Sequence, residues 1–153
     1  MNSNLTDEIS GGAVPEYSVQ LDKAESKEKT KFRKGRWALA FRIDPRPRKS
    51  WYDKLKIFTE KHQLKYNWER GENHKNRGYI IFYTDYAGSR DKMVEKLRDF
   101  KEKCEEILSR ATEAFRSEKI EELQKEKSRK QIEREQREMF SEILEEIEDQ
   151  NSI

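Results

Sequence analysis

"NHKNRGYIIFYTDY", residues 73 to 86, gathers His74, Lys75, Arg77, Gly78 and four aromatics, Tyr79, Phe82, Tyr83 and Tyr86, into fourteen positions. An imidazole near tyrosines suits metal-assisted attack on a phosphate, and a basic residue, a glycine and alternating tyrosines suit the stacking of nucleobases. The same residues also suit a buried strand and its turn, because strands are rich in tyrosine for packing reasons alone. The metal reading requires more than one loop imidazole to hold and orient an ion. With two histidines, one cysteine (Cys104) and no CxxC pair, the chain is not expected to ligate zinc. His62 is flanked by lysine on a helical stretch and reads as a surface residue, and "AGSR" lacks the lysine of a phosphate-binding loop. No nucleophile and base stand out. The expectation is a protein without catalytic residues, metal or cofactor.

Binding has a more coherent set of groups. Lys34 and Arg36 lead into a strand, Arg42 lies on its polar face, Arg46, Arg48 and Lys49 occupy the next loop, and Arg70, Lys75 and Arg77 surround a hairpin. With Tyr79 and Tyr83 they form the expected nucleic-acid site, in which arginines meet phosphates and tyrosines stack on bases. Charge distribution supports the same reading. Residues 31 to 90 hold sixteen Lys or Arg against six Asp or Glu, a net +10, whereas residues 1 to 30 are net −3 (three against six) and residues 91 to 153 net −5 (fourteen against nineteen). A basic body between acidic flanks fits a polyanion as partner, DNA or RNA. The alternative is that the acidic C-terminal part folds back to neutralise the body.

The elements that would position these groups follow from periodicity. In "RWALAFRID" Trp37, Leu39, Phe41 and Ile43 alternate with Arg36, Ala38, Ala40 and Arg42, which predicts a strand with one buried face. "PRPRKS" ends it, and Ser50 is expected to cap a helix over "WYDKLKIFTEKHQ", with Trp51, Leu55, Phe58 and Thr59 on one face. Strands at 64 to 68 and 78 to 84 flank the polar loop "ERGENHKN", and "AGSRDK" opens a long helix. Along that helix Met93, Leu97, Phe100, Cys104, Ile107, Leu108, Ala111 and Phe115 form a stripe at spacings of three and four. The order strand, helix, strand, strand, helix predicts an α+β fold of ferredoxin-like, split βαβ type. It has a three-stranded antiparallel sheet and two helices, the second running on into a long C-terminal helix. No fourth strand follows that helix.

Two family resemblances rest on these residues. "RGYIIFY" at 77 to 83 resembles the inner motif of RNA recognition motif domains through Arg77, Gly78 and Tyr79, while Ile81 and Thr84 stand where that family has further aromatics. It implies base stacking on an exposed sheet face. "RWALAFRIDP", "WYDKL" and "NHKNRGYIIFY", from about residue 35 to 97, resemble the layout of HUH-class rolling-circle replication initiators. That family holds a metal with a histidine pair and attacks DNA with a helical tyrosine. Here Arg77 and Tyr79 occupy the likeliest positions of the pair, and the helix that starts near Ser89 has no tyrosine. The resemblance thus implies a fold and a DNA-handling ancestry without the nicking reaction.

The ends complete the expected organisation: a disordered acidic tail over 1–33, a basic α+β domain over 34–115, a polar helical spacer over 116–138 and an acidic amphipathic helix over 139–150. Residues 1 to 30 show no sustained apolar period, although Val14 to Val19 around Pro15 could dock on a partner. In the last helix Met139, Phe140, Ile143, Leu144 and Ile147 share a face with five acids around it, a surface for a protein partner or a second copy. No apolar run is long enough to cross a bilayer and no secretory signal is visible, so an intracellular protein that binds nucleic acid is expected. The alternative is a protein adaptor or inhibitor, virus- or plasmid-borne, whose basic face meets an acidic protein.

Overall fold

The computed structural model describes residues 14–30, 35–70 and 77–151, with no side-chain account of Arg70 or Asn151. Seven elements follow in order: β1 (Ser18–Asp22), α1 (Lys23–Thr30), β2 (Arg36–Asp44), α2 (Lys49–Lys61), β3 (Lys65–Arg70), β4 (Gly78–Asp85) and α3 (Arg90–Asn151). The fold is α+β, and its sheet has four antiparallel strands in the order β1-β2-β4-β3, not the expected three. β2, α2 and β3 form the split βαβ unit with β4 between its strands. The additional strand comes from the N-terminal side. β1 pairs along β2 from Ser18 opposite Asp44 to Asp22 opposite Ala40, on the edge of β2 away from β4.

The expected tail is therefore corrected within residues 14–30, which add a strand and a third helix to the body. Tyr17, Val19 and Leu21 alternate and pack against the core. Tyr17 lies 6.1 Å from Trp51 and 5.3 Å from Phe115 between ring centroids, and its hydroxyl accepts a hydrogen bond from the Arg48 amide at 3.0 Å. Three apolar residues between polar ones make a weak periodic signal, yet the core supplies a surface that rewards them. Asp22 then ends β1 and caps α1, its Oδ1 accepting from the Glu25 amide at 3.0 Å.

On one face of the sheet Leu39, Phe41, Ile43, Ile80 and Phe82 pack with Trp51 and Leu55 of α2 and with Cys104, Ile107, Leu108, Ala111 and Phe115 of α3. Of the expected stripe on α3, Met93, Cys104, Ile107, Leu108, Ala111 and Phe115 are buried, and Leu97 and Phe100 are half-buried against the core. Trp51 donates from Nε1 to Thr112 Oγ1 at 3.1 Å, so the largest core side chain leaves no polar atom unmet. Helix α2 begins at Lys49 with Arg48 in the cap position, so Ser50 lies inside the first turn and is not the cap. Ser89 performs that task for α3, its Oγ accepting from the Lys92 amide at 3.3 Å after Gly88 turns the chain at φ 91°.

The opposite face, with Ala38, Ala40 and Ile81 buried, is met by α1. Here β2 continues past the end of β1, and two hydroxyls of α1 replace the missing strand. Ser26 Oγ accepts from the Ala40 amide at 2.8 Å and donates to the Asp22 carbonyl at 2.7 Å. Thr30 Oγ1 accepts from the Ala38 amide at 2.9 Å and donates to the Ser26 carbonyl at 2.8 Å. Lys29 reaches Glu69 of β3 at 2.7 Å, and that hydrogen bond raises the pKa of the lysine despite partial desolvation.

Pro15–Arg116 form one compact unit, and α3 from Ser117 onward belongs to a second. In the second unit pairs such as Arg129 with Glu133 and Lys130 with Glu126 stand one turn apart at 3.0 and 3.5 Å. Exposed pairs of this kind contribute about 0.3–0.5 kcal/mol each, enough to favour the helical state without giving it a core.

Two substitutions test this construction. Ser26→Ala and Thr30→Ala remove the acceptors of buried amides and should each cost about 1–3 kcal/mol in urea unfolding. Amide exchange should quicken at Ala38 and Ala40 more than at Leu39 and Phe41. Gly78→Ala would place a methyl 3.0 Å from Pro47 Cδ and 3.1 Å from the Tyr52 hydroxyl. It should lower unfolding stability by about 1–3 kcal/mol through overpacking.

Candidate nucleic-acid interface

The expected basic residues separate into three groups. At the end of the sheet where β2 finishes, Arg42, Arg77 and Tyr79 come together. Arg42 Nε lies 3.3 Å from Asp44 Oδ2 and Arg77 Nε lies 3.2 Å from Asp44 Oδ1, so one carboxylate serves two guanidinium groups. Arg42 also donates to Gln20 Oε1 at 2.7 Å. Gln20, Arg42, Tyr79 and Glu69 form a row across all four strands on the face that α1 meets. Tyr79 is half-buried, with its hydroxyl 3.5 Å from Asp22 Oδ2. Burial and then the Asp22 and Glu25 carboxylates raise its pKa above the ordinary phenol value.

A second group lies in the turn after β2. Arg48 and Lys49 are exposed, Arg46 is half-buried, and Pro47 is buried among them. The tight approach of Pro47, Tyr52 and Gly78 explains the glycine that sequence reading assigned to a base-binding motif: a Cβ there has no room. The peptide bond between Asp44 and Pro45 is cis.

The third group stands at the other end of the strands. Arg36 pairs in register with Asp85, and Lys65 with Tyr83. Together with His62, Thr84 and Lys103 these residues line a depression of about 330 Å³. Its lining has three permanent cations and one carboxylate, a balance that suits a phosphate-sized anion. Tyr83 is half-buried against Ala38, Ala40 and Ile81. Lys65 and Lys103 were not singled out from the sequence, since Lys65 lies on a polar edge strand and Lys103 beside the buried stripe of α3, positions that look merely solvated.

Lys34 and Lys75 lie outside the described residues, as does the side chain of Arg70. His74 lies outside them as well, and among the described residues no group of three His, Cys, Asp or Glu side chains is placed to hold a metal. Cys104 is buried in the core, and desolvation raises its thiol pKa far above the ordinary value. Among the described residues no helix is long and apolar enough to cross a membrane.

No family model, curated protein or solved structure matches the chain.

Met139, Phe140, Ile143, Leu144 and Ile147, expected from the sequence to meet a partner, are all exposed, and so is every residue from Gln124 to Gln150. Glu142, Glu145, Glu146, Glu148 and Asp149 accompany them without a Lys or Arg in the same stretch.

Asp44→Asn should release two arginines from a shared carboxylate. If they face a polyanion, affinity for a short labelled oligonucleotide at low salt should rise about two- to fivefold in an anisotropy titration.

Proposed function

We propose that Pro15–Arg116 is a non-catalytic nucleic-acid-binding module and that the end of α3 recruits a protein partner or a second copy. The observation that carries this reading is the exposed Arg48 and Lys49, with Arg46 beside them, at the turn into a helix whose first turn holds no acid. Phosphates are drawn to such a position by charge and by the positive end of the helix dipole. Arg42 and Arg77 stand at the end of the sheet nearest that turn and Arg36 at the other end, while Lys34, Arg70 and Lys75 join the proposed site from the sequence alone. The likenesses to RNA recognition motif domains and to HUH initiators, both built on ferredoxin-like cores, favour the same class of partner, without the histidine pair or tyrosine of the latter. A free, buried thiol suits an intracellular protein in a reducing setting.

The exposed apolar face of Met139, Phe140, Ile143, Leu144 and Ile147 favours a protein partner for the second unit. It also keeps open the reading of the whole chain as an adaptor whose basic face meets an acidic protein. Salt dependence separates the two, because polymer binding releases condensed counterions.

With six phosphate contacts, affinity for duplex DNA should fall with salt at a log-log slope of roughly −5, and for a single strand roughly −4. Replacing Arg46, Arg48 and Lys49 together by Ala should flatten that slope by about 2 to 3 units and weaken binding at least tenfold near 0.1 M salt. Anisotropy that stays flat on DNA and RNA, single- and double-stranded, would favour the adaptor.

A further inference from the structure

Trp68 stands apart from the other two tryptophans. Trp51 is fully buried, and Trp37 is half-buried and stacked on Tyr86 with centroids 5.9 Å apart and planes 15° from parallel. Trp68 is 53% exposed. It lies on β3, the strand that ends the sheet, opposite Ile80 and therefore on the side of α2. The ring that meets it is Tyr52, at 5.3 Å and 42°.

Tyr52 is firmly held. Its ring stands edge-on to Trp51 at 5.3 Å, and its hydroxyl lies over Gly78, where no side chain intervenes. On α2, Lys49 and Lys56 flank it at positions −3 and +4, on the same side of the helix, and both are exposed. Arg46 approaches the same glycine from the preceding turn. One carboxylate, Asp53, shares this part of the helix.

We infer that Trp68 and Tyr52 form a shelf on which bases of single-stranded DNA or RNA stack, with Lys49, Lys56 and Arg46 meeting the flanking phosphates. This rests on the nucleic-acid reading above and goes beyond it, because it names the form of the polymer and the surface that holds it. A single strand offers flat π faces one nucleotide apart with an anion between them, matching a shelf of aromatic rings bordered by cations. A duplex keeps those faces stacked inside and offers the shelf only its phosphates. The sheet face with Tyr79 and Tyr83 is met by α1, whereas Trp68 needs no rearrangement to receive a base.

The test uses the full chain with labelled twelve-nucleotide oligo-dT and oligo-U and a twelve-base-pair duplex, read by anisotropy across a salt series. The wild type should prefer the single strands. Trp68→Ala should weaken them about tenfold with the salt slope unchanged, since no charge is lost. Trp68→Phe should restore most of the affinity, whereas Trp68→Leu, which keeps apolar cover but has no flat face, should not. The Arg46, Arg48 and Lys49 variant should instead flatten the slope. Unchanged single-strand affinity in Trp68→Ala or Trp68→Leu, or a wild type that prefers the duplex, overturns the shelf and leaves the nucleic-acid reading standing. A wild type that binds none of the three probes overturns both.

Discussion

Strand β2 runs for nine residues, but β1 pairs with five of them, and the amides of Ala38 and Ala40 point to the side where β1 has ended. A buried amide without an acceptor costs about 1–3 kcal/mol, a large part of a small domain's net stability, so the chain must provide one. It does so with Ser26 and Thr30, spaced one helical turn apart, each hydroxyl accepting from the strand while donating back along its own helix. The arrangement of the N-terminal segment follows from this need. Asp22 must stop the strand and start the helix at once, and α1 must lie along β2, which brings it onto the face that α2 and α3 do not cover. A polar helix such as "KAESKEKT" has little apolar surface with which to hold its place. Its two hydroxyl links and the Lys29 to Glu69 pair locate it instead.

That closure covers part of the sheet face that carries Tyr79 and Tyr83. An open sheet face with Tyr79 and Tyr83 would be a natural platform for bases, but both rings are half-buried in the row and cluster next to α1. Arg42 and Arg77 are tied to Asp44 in the same region. The groups left to solvent lie at the turn after β2, along the outer side of α2 and on β3, where Arg48, Lys49, Lys56 and Trp68 stand. Arg42, by contrast, would have to leave Asp44 and Gln20 to meet a phosphate.

Much of the body was legible in the sequence where alternation or helical spacing was strong. In "RWALAFRID" alternation marked Leu39, Phe41 and Ile43 for the core, although Ala38 and Ala40 on the other face are buried too and Trp37 is half-buried; on α3 the stripe is buried at six positions and half-buried at Leu97 and Phe100. β1 was missed because its signal is three residues, Tyr17, Val19 and Leu21, within a polar context that also fits a solvated tail. Its helix had a legible start, Asp22 followed by Glu25 in the manner of a capping box, but its purpose depends on hydroxyls meeting a strand remote in sequence. The candidate site was half legible for the same reason. Residue types announced a basic surface with aromatics, yet which arginines are ion-paired and which tryptophan faces water are properties of the assembled sheet. Gly78 illustrates the difference: it was noticed for its place in a motif, and the fold requires it for the approach of Pro47 and Tyr52.

Binding of single strands along the turn after β2, α2 and β3 can be read from amide hydrogen exchange of the full chain with and without saturating oligo-dT. Exchange should slow in residues 46 to 56 and 65 to 70 and stay unchanged in residues 117 to 151. Protection confined to residues 117 to 151, or no protection at a concentration where the oligonucleotide is bound, would contradict binding there.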